Sequence, residues 1–156
     1  MVVALFFFLV AMGCWLGGIV FFSFFTAPAI FGSLPIEEAG KAISTIFPRY
    51  YILGYVAGTI SLMLAIYFTL VRDARLLWGG TALALAIGVG LTFYAGTVVL
   101  PRADAIRTVS HQPNADPVRK AEFDKLHRLS VILNGTVLIL NLAAIAGTAG
   151  ALTVRG

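Results

Sequence analysis

A four-helix, all-α membrane bundle is the fold class this chain predicts, on three observations. Of its 156 residues 60% are hydrophobic and 12% charged, against about 45–50% and about 25% in an ordinary soluble domain. The charges are also clustered, leaving 1–36, 50–71, 76–101 and 129–154 free of Asp, Glu, Lys and Arg. The shortest of these blocks has 22 residues, and a hydrocarbon core about 30 Å thick takes roughly 20 at 1.5 Å each. Apolar residues stand side by side at 5–10, without the alternation of a membrane strand, which excludes a barrel. Four spans with short connections use the whole chain, so one domain, 1–156, is expected.

Helix 1 is expected over about 3–30. Met1-Val2-Val3 carries no positive charge and the apolar run outlasts a signal sequence, so this helix is expected to be retained. Between it and helix 2 (about 49–71), Ser33 can cap, Pro35 fits a first turn, Glu37 and Glu38 suit a helix N-terminus and Pro48 ends the segment. Ile36, Ala39, Ile43, Ile46 and Phe47 recur at helical spacing, which predicts a short interfacial helix there. Arg72-Asp73-Ala74-Arg75 reads as a tight turn into helix 3 (about 76–100), making helices 2 and 3 antiparallel neighbours. The charged stretch from Pro101 to His127 reads as the sizeable region outside the bilayer. Asp116-Pro117 opens the helical lead into helix 4, about 128–152.

Lys41, Arg49, Arg102, Arg107, Arg119, Lys120, Lys125 and Arg128 flank one face, and Arg72, Arg75 and Arg155 the other. That excess puts the richer face in the cytoplasm and both termini outside. The net charge of +4 belongs to these flanks, so no nucleic-acid partner is implied. The lone Cys14 permits no intramolecular disulfide.

Gly13 and Gly17, Gly54 and Gly58, and Gly88, Thr92 and Gly96 repeat at four-residue spacing, as closely packed membrane helices do. They serve packing first and homo-oligomer contacts second. In helix 4, His127, Ser130, Asn134 and Asn141 form one polar stripe, either a set of interhelical bonds or a polar groove. Around its mouth the ends of helices 2, 3 and 4 bring Arg49, Tyr50, Tyr51, Arg102, Asp104, His127 and Arg128. Arg49 and Arg102 would hold an anion or pair with Asp104. His127, whose side-chain type titrates near neutrality, would hydrogen-bond to helix 2 or 3 and face the interior with Asn134. The plain alternative is interfacial anchoring.

No cofactor or metal is expected. Cys14, Met12 and Met63 are soft ligands far from His127, His111 lies between helices 3 and 4, and no acid stands inside a span to couple cations. No phosphate loop, nucleophile elbow or HExxH motif is present.

Gly17-Gly18-Ile19-Val20-Phe21-Phe22-Ser23-Phe24, Ala27-Pro28-Ala29-Ile30-Phe31, Glu38-Ala39-Gly40-Lys41 and Ile46-Phe47-Pro48-Arg49-Tyr50-Tyr51 resemble the first half of the transmembrane protein 205-like family. Thr92-Phe93-Tyr94, Leu100-Pro101-Arg102 and Phe123-Asp124-Lys125-Leu126-His127-Arg128-Leu129-Ser130-Val131-Ile132-Leu133-Asn134 resemble its second half, in order. The resemblance implies a bacterial membrane domain of unknown function with a distant likeness to copper-resistance membrane proteins and an animal member associated with platinum-drug resistance. The expectation is therefore a non-enzymatic protein of the bacterial inner membrane that handles a small solute, ion or drug. The alternative is an accessory subunit of a larger membrane complex. The lipid bilayer is its expected partner, with homo-oligomers open.

Overall fold

The computed structural model describes residues 1–110 and 116–154; His111, Pro113 and Arg155 lie outside them. Among the described residues four helices are long and apolar enough to cross a membrane: α1 (Val2–Ser33), α2 (Ile36–Val71), α3 (Arg75–Arg107) and α4 (Pro117–Thr153). They pack in chain order, α2 on α3, α3 on α4 and α1 mainly on α2, with a lighter seam between α1 and α4. Large apolar side chains such as Phe6, Phe24, Ile60, Met63, Leu83 and Ile139 stay exposed on the outside, as a lipid environment requires.

The expected interfacial helix is instead the first part of α2, which runs 36 residues with Pro48 inside it. A proline removes one helical hydrogen bond and crowds the carbonyl four residues before it. Here the neighbouring carbonyl of Thr45 receives Arg49 Nη1 at 3.1 Å, and the helix carries through. Ser33 closes α1 rather than capping α2. Leu34 and Pro35 are the extended link, and Pro35 holds the N-cap position with no side-chain cap.

The third span outruns its expected end, whereas the helical lead into the fourth opens at Asp116-Pro117 as expected. Helical backbone continues beyond Leu100 to Ser110, and α4 starts at Pro117, where Asp116 Oδ1 accepts the Val118 N–H at 3.0 Å. Charge marks where a chain leaves lipid and leaves helix formation free to continue. The α2–α3 turn is as expected: α2 stops at Val71 and α3 begins at Arg75.

Two wide turns interrupt the α-helical pattern, Phe22–Thr26 in α1 and Ala95–Val99 in α3. In each the following N–H bonds five residues back, Ala27 to Phe22 and Leu100 to Ala95. Each ends two residues before a proline, Pro28 or Pro101, whose ring would collide with a carbonyl of an ordinary turn.

The centre of the bundle is Trp15, 2% exposed. Its indole fills a slot that a side chain on Gly58 or Gly88 would close, since a Cβ there would come within 3.0 and 3.3 Å of the ring, and one on Gly54 within 3.4 Å. A methyl on Gly96 would overlap Tyr51 and the Tyr55 hydroxyl. These glycines serve packing as expected. Gly13 and Gly17 do not: they are exposed, with nothing within 4 Å of a Cβ.

Candidate functional site

Three polar side chains from three helices meet beside Trp15. Tyr50 of α2 donates its hydroxyl to Asn134 Oδ1 of α4. Asn134 Nδ2 in turn donates to Ser23 Oγ of α1 at 2.9 Å. Ser23 lies in the wide turn of α1, and the wide turn of α3 brings Ala95 to the same level, one turn from Thr92. A cavity of about 20 Å³, lined by Tyr50, Tyr51, Thr92, Asn134, Trp15 and Gly54 among others, opens there. That is room for about one water molecule.

The chain of bonds is neutral and its ends are unspent. Ser23 accepts from Asn134, so its own O–H remains to donate, and the Tyr50 oxygen keeps lone pairs to accept. Rings close the level off. Phe22 lies 4.8 Å from Tyr50 and 5.4 Å from Phe47, Tyr50 lies 5.3 Å from Tyr51, and Tyr55 stacks on Phe93 at 4.3 Å. A neutral, ring-walled pocket suits a small uncharged polar molecule better than an ion, which would need a countercharge.

The other expected site residues disperse. His127 is exposed, and its ring stacks 6.3 Å from Phe123 with no hydrogen bond among the described residues. The expected lock to helix 2 or 3 is therefore corrected. The buried line of α4 runs through Leu133, Val137, Asn141 and Ala144, and Asn134 lies on its flank towards α1, while His127 is exposed. At Asn134 that flank meets Ser23. Beyond it, Ala27–Ser33 of α1 packs on α2, and the ring contact of His127 is with Phe123 of its own helix.

Arg49 and Arg102 are exposed, Arg49 turning back to Thr45, so neither pairs with Asp104 as expected. Asp104 pairs with Arg107, Nε to Oδ1 at 3.1 Å, and Arg107 Nη2 donates to Ser44 Oγ of α2 at 3.1 Å. Arg128 is exposed, and Ser130 donates to Leu126 O of its own helix. Asn141 is fully buried; Nδ2 donates to Val137 O of the same helix and Oδ1 has no partner among the described residues. Ser23, Thr92 and Arg107 are the members that sequence reasoning passed over. Ser23 and Thr26 are the only hydroxyl side chains in 1–32, a signal that was available.

Four apolar spans holding a neutral hydrogen-bonded cluster define an integral membrane protein of the helical-bundle class. The chain belongs to the family described as a domain of unknown function, DUF4149, whose profile covers residues 10–112. It is also 29% identical over 126 residues, 80% of this chain and 81% of the other, to an uncharacterized protein of Aquifex aeolicus (strain VF5). No solved structure matches the chain.

Proposed function

We propose that the chain is a non-enzymatic protein of the bacterial inner membrane that binds and passes a small polar solute at the Ser23–Asn134–Tyr50 cluster. The observation that carries this reading is the three-helix hydrogen-bond chain, of which Tyr50 and Asn134 line a cavity and keep hydrogen-bonding capacity there. A cavity of about 20 Å³ fits water or a group of similar size, so a drug-sized molecule would need the helices to part. The two wide turns that border the cluster are the places where they can do so. The resemblance to the transmembrane protein 205-like family supports a resistance or transport role. Its copper extension finds little support, because Met12 is buried whereas Cys14 and Met63 are exposed. The excess of Lys and Arg at the α1–α2 and α3–α4 ends supports a cytoplasmic location for that face.

The test is flux in liposomes of the purified protein, with water, small polyols and monovalent ions as separate probes. Flux of a neutral probe above empty liposomes, lost in Asn134→Leu, is the expected result. No flux of any probe, or flux indifferent to Asn134→Leu, defeats the reading.

A second reading, an accessory subunit of a larger complex, is favoured by the bare glycine face at Gly13 and Gly17, against which a foreign helix can pack closely. Gentle extraction and native sizing separates the two readings. Stoichiometric recovery with another complex supports the subunit, whereas a monomer or homo-oligomer removes it.

A further inference from the structure

At the end of the bundle opposite the cluster, the α2–α3 turn holds a cation in a fixed place. Arg72 follows the last residue of α2, its N–H bonded to Phe68 O at 3.0 Å. Its guanidinium carbon lies 5.3 Å from the centre of the Phe68 ring and 6.0 Å from that of Trp78. Those rings belong to a cluster of three: Phe8 of α1 meets Phe68 at 5.9 Å and Trp78 at 5.7 Å, and Phe68 meets Trp78 at 4.6 Å. All three are buried. Ring faces hold a guanidinium by its own flat face and leave the in-plane N–H groups to find acceptors.

No acceptor for them is found among the described residues. Arg72 makes no ion pair there, and Nε is both buried and without a hydrogen-bond partner. The side chain is only half-buried, so the terminal Nη groups form its open edge. Three other basic side chains have protein partners: Lys41 pairs with Glu37 at 3.0 Å, Arg107 with Asp104, and Arg49 with the Thr45 carbonyl. Arg72 is also the first charged residue after the charge-free block 50–71, which puts it where apolar chain gives way to headgroups. The acceptor abundant at that depth is the phosphate of a phospholipid, which the terminal edge of a guanidinium can hold with two parallel N–H bonds.

We propose that Arg72, held by Phe68 and Trp78, is a binding site for the phosphate of a phospholipid headgroup. The ligand chemistry is an exposed phosphate, and the ring clamp distinguishes this arginine from Arg75, which is exposed in the same turn with no ring against it.

The test uses the full chain in a neutral detergent, with melting temperature and native mass spectrometry as readouts. Three additions are compared: phosphatidylglycerol, diacylglycerol of the same acyl chains, and inorganic phosphate. Phosphatidylglycerol is expected to raise the melting temperature and remain bound in the gas phase, while diacylglycerol does neither. Arg72→Gln is expected to lose more than half of that shift, and Arg75→Gln to keep it. Should Arg72→Gln fold poorly, Arg72→Lys serves, since it keeps the charge without the flat, ring-held fork and is expected to weaken the shift. An equal shift in the Arg72 variants, or an equal loss in Arg75→Gln, overturns the site. A full shift from inorganic phosphate alone overturns the lipid as its source.

Discussion

Asn134 and Asn141 stand seven residues apart on α4 and do different work. Asn134 ties three helices together, whereas Asn141 bonds only its own backbone and buries a carbonyl oxygen without a partner. Interhelical bonds in membranes average about 0.6 kcal/mol, so Asn134→Leu should cost about 1 kcal/mol through its two bonds. Asn141→Leu removes an unsatisfied group and should leave stability level or raise it; thermal melts of the two variants in detergent check both. Gly58→Val places a branched side chain 3.0 Å from Trp15 and Val89 and should destabilise by about 1–3 kcal/mol. Asn134 was legible from the sequence as part of a polar stripe in an apolar helix, and Tyr50 as a helix-end residue at the mouth. The arginine mouth was misread because Arg107 lies one helical turn beyond Asp104, a relation that exists only if α3 continues past Pro101. Ser23 carries a sequence signal as one of two hydroxyls in 1–32, but nothing in an apolar block tells which of the two meets α4.

At the scale of elements, the charge-free blocks gave the four spans and their order but not the helix ends. Membrane borders follow polarity, and helix ends follow backbone hydrogen bonding, so the two need not coincide. Pro48 shows the difference: proline chemistry alone argues for a stop, yet α2 carries the residues on both sides. Continuity predicts a length. Spin labels at Lys41→Cys and Val71→Cys, in a Cys14→Ala background, should lie about 45 Å apart at 1.5 Å per residue. A right-angle fold at Pro48 would bring them to about 36 Å by the same rise, and double electron–electron resonance resolves the two. The wide turns were not legible at all, although both precede prolines visible in the sequence, because a proline in a helix can equally produce a kink or an end.

For the whole molecule, the outward apolar surface and the charged ends agree on a spanning bundle, and orientation is the property next to test. With Lys120→Cys and Arg75→Cys made separately in a Cys14→Ala background, an impermeant maleimide on intact cells should label Arg75→Cys only. Labelling of Lys120→Cys instead reverses the orientation. The chain contains two tryptophans, and both are deep in the packing: Trp15 in the glycine slot beside the cavity and Trp78 in the ring cluster under Arg72. The protein thus carries one optical reporter in the middle of the bundle beside the cavity and one at the α2–α3 turn. Trp78→Phe leaves fluorescence that answers to solute at the cluster, and Trp15→Phe leaves fluorescence that answers to lipid at the turn. A colour change confined to the first variant when solute is added, and to the second when phosphatidylglycerol is added, would let the cavity and the turn be followed independently in the same membrane.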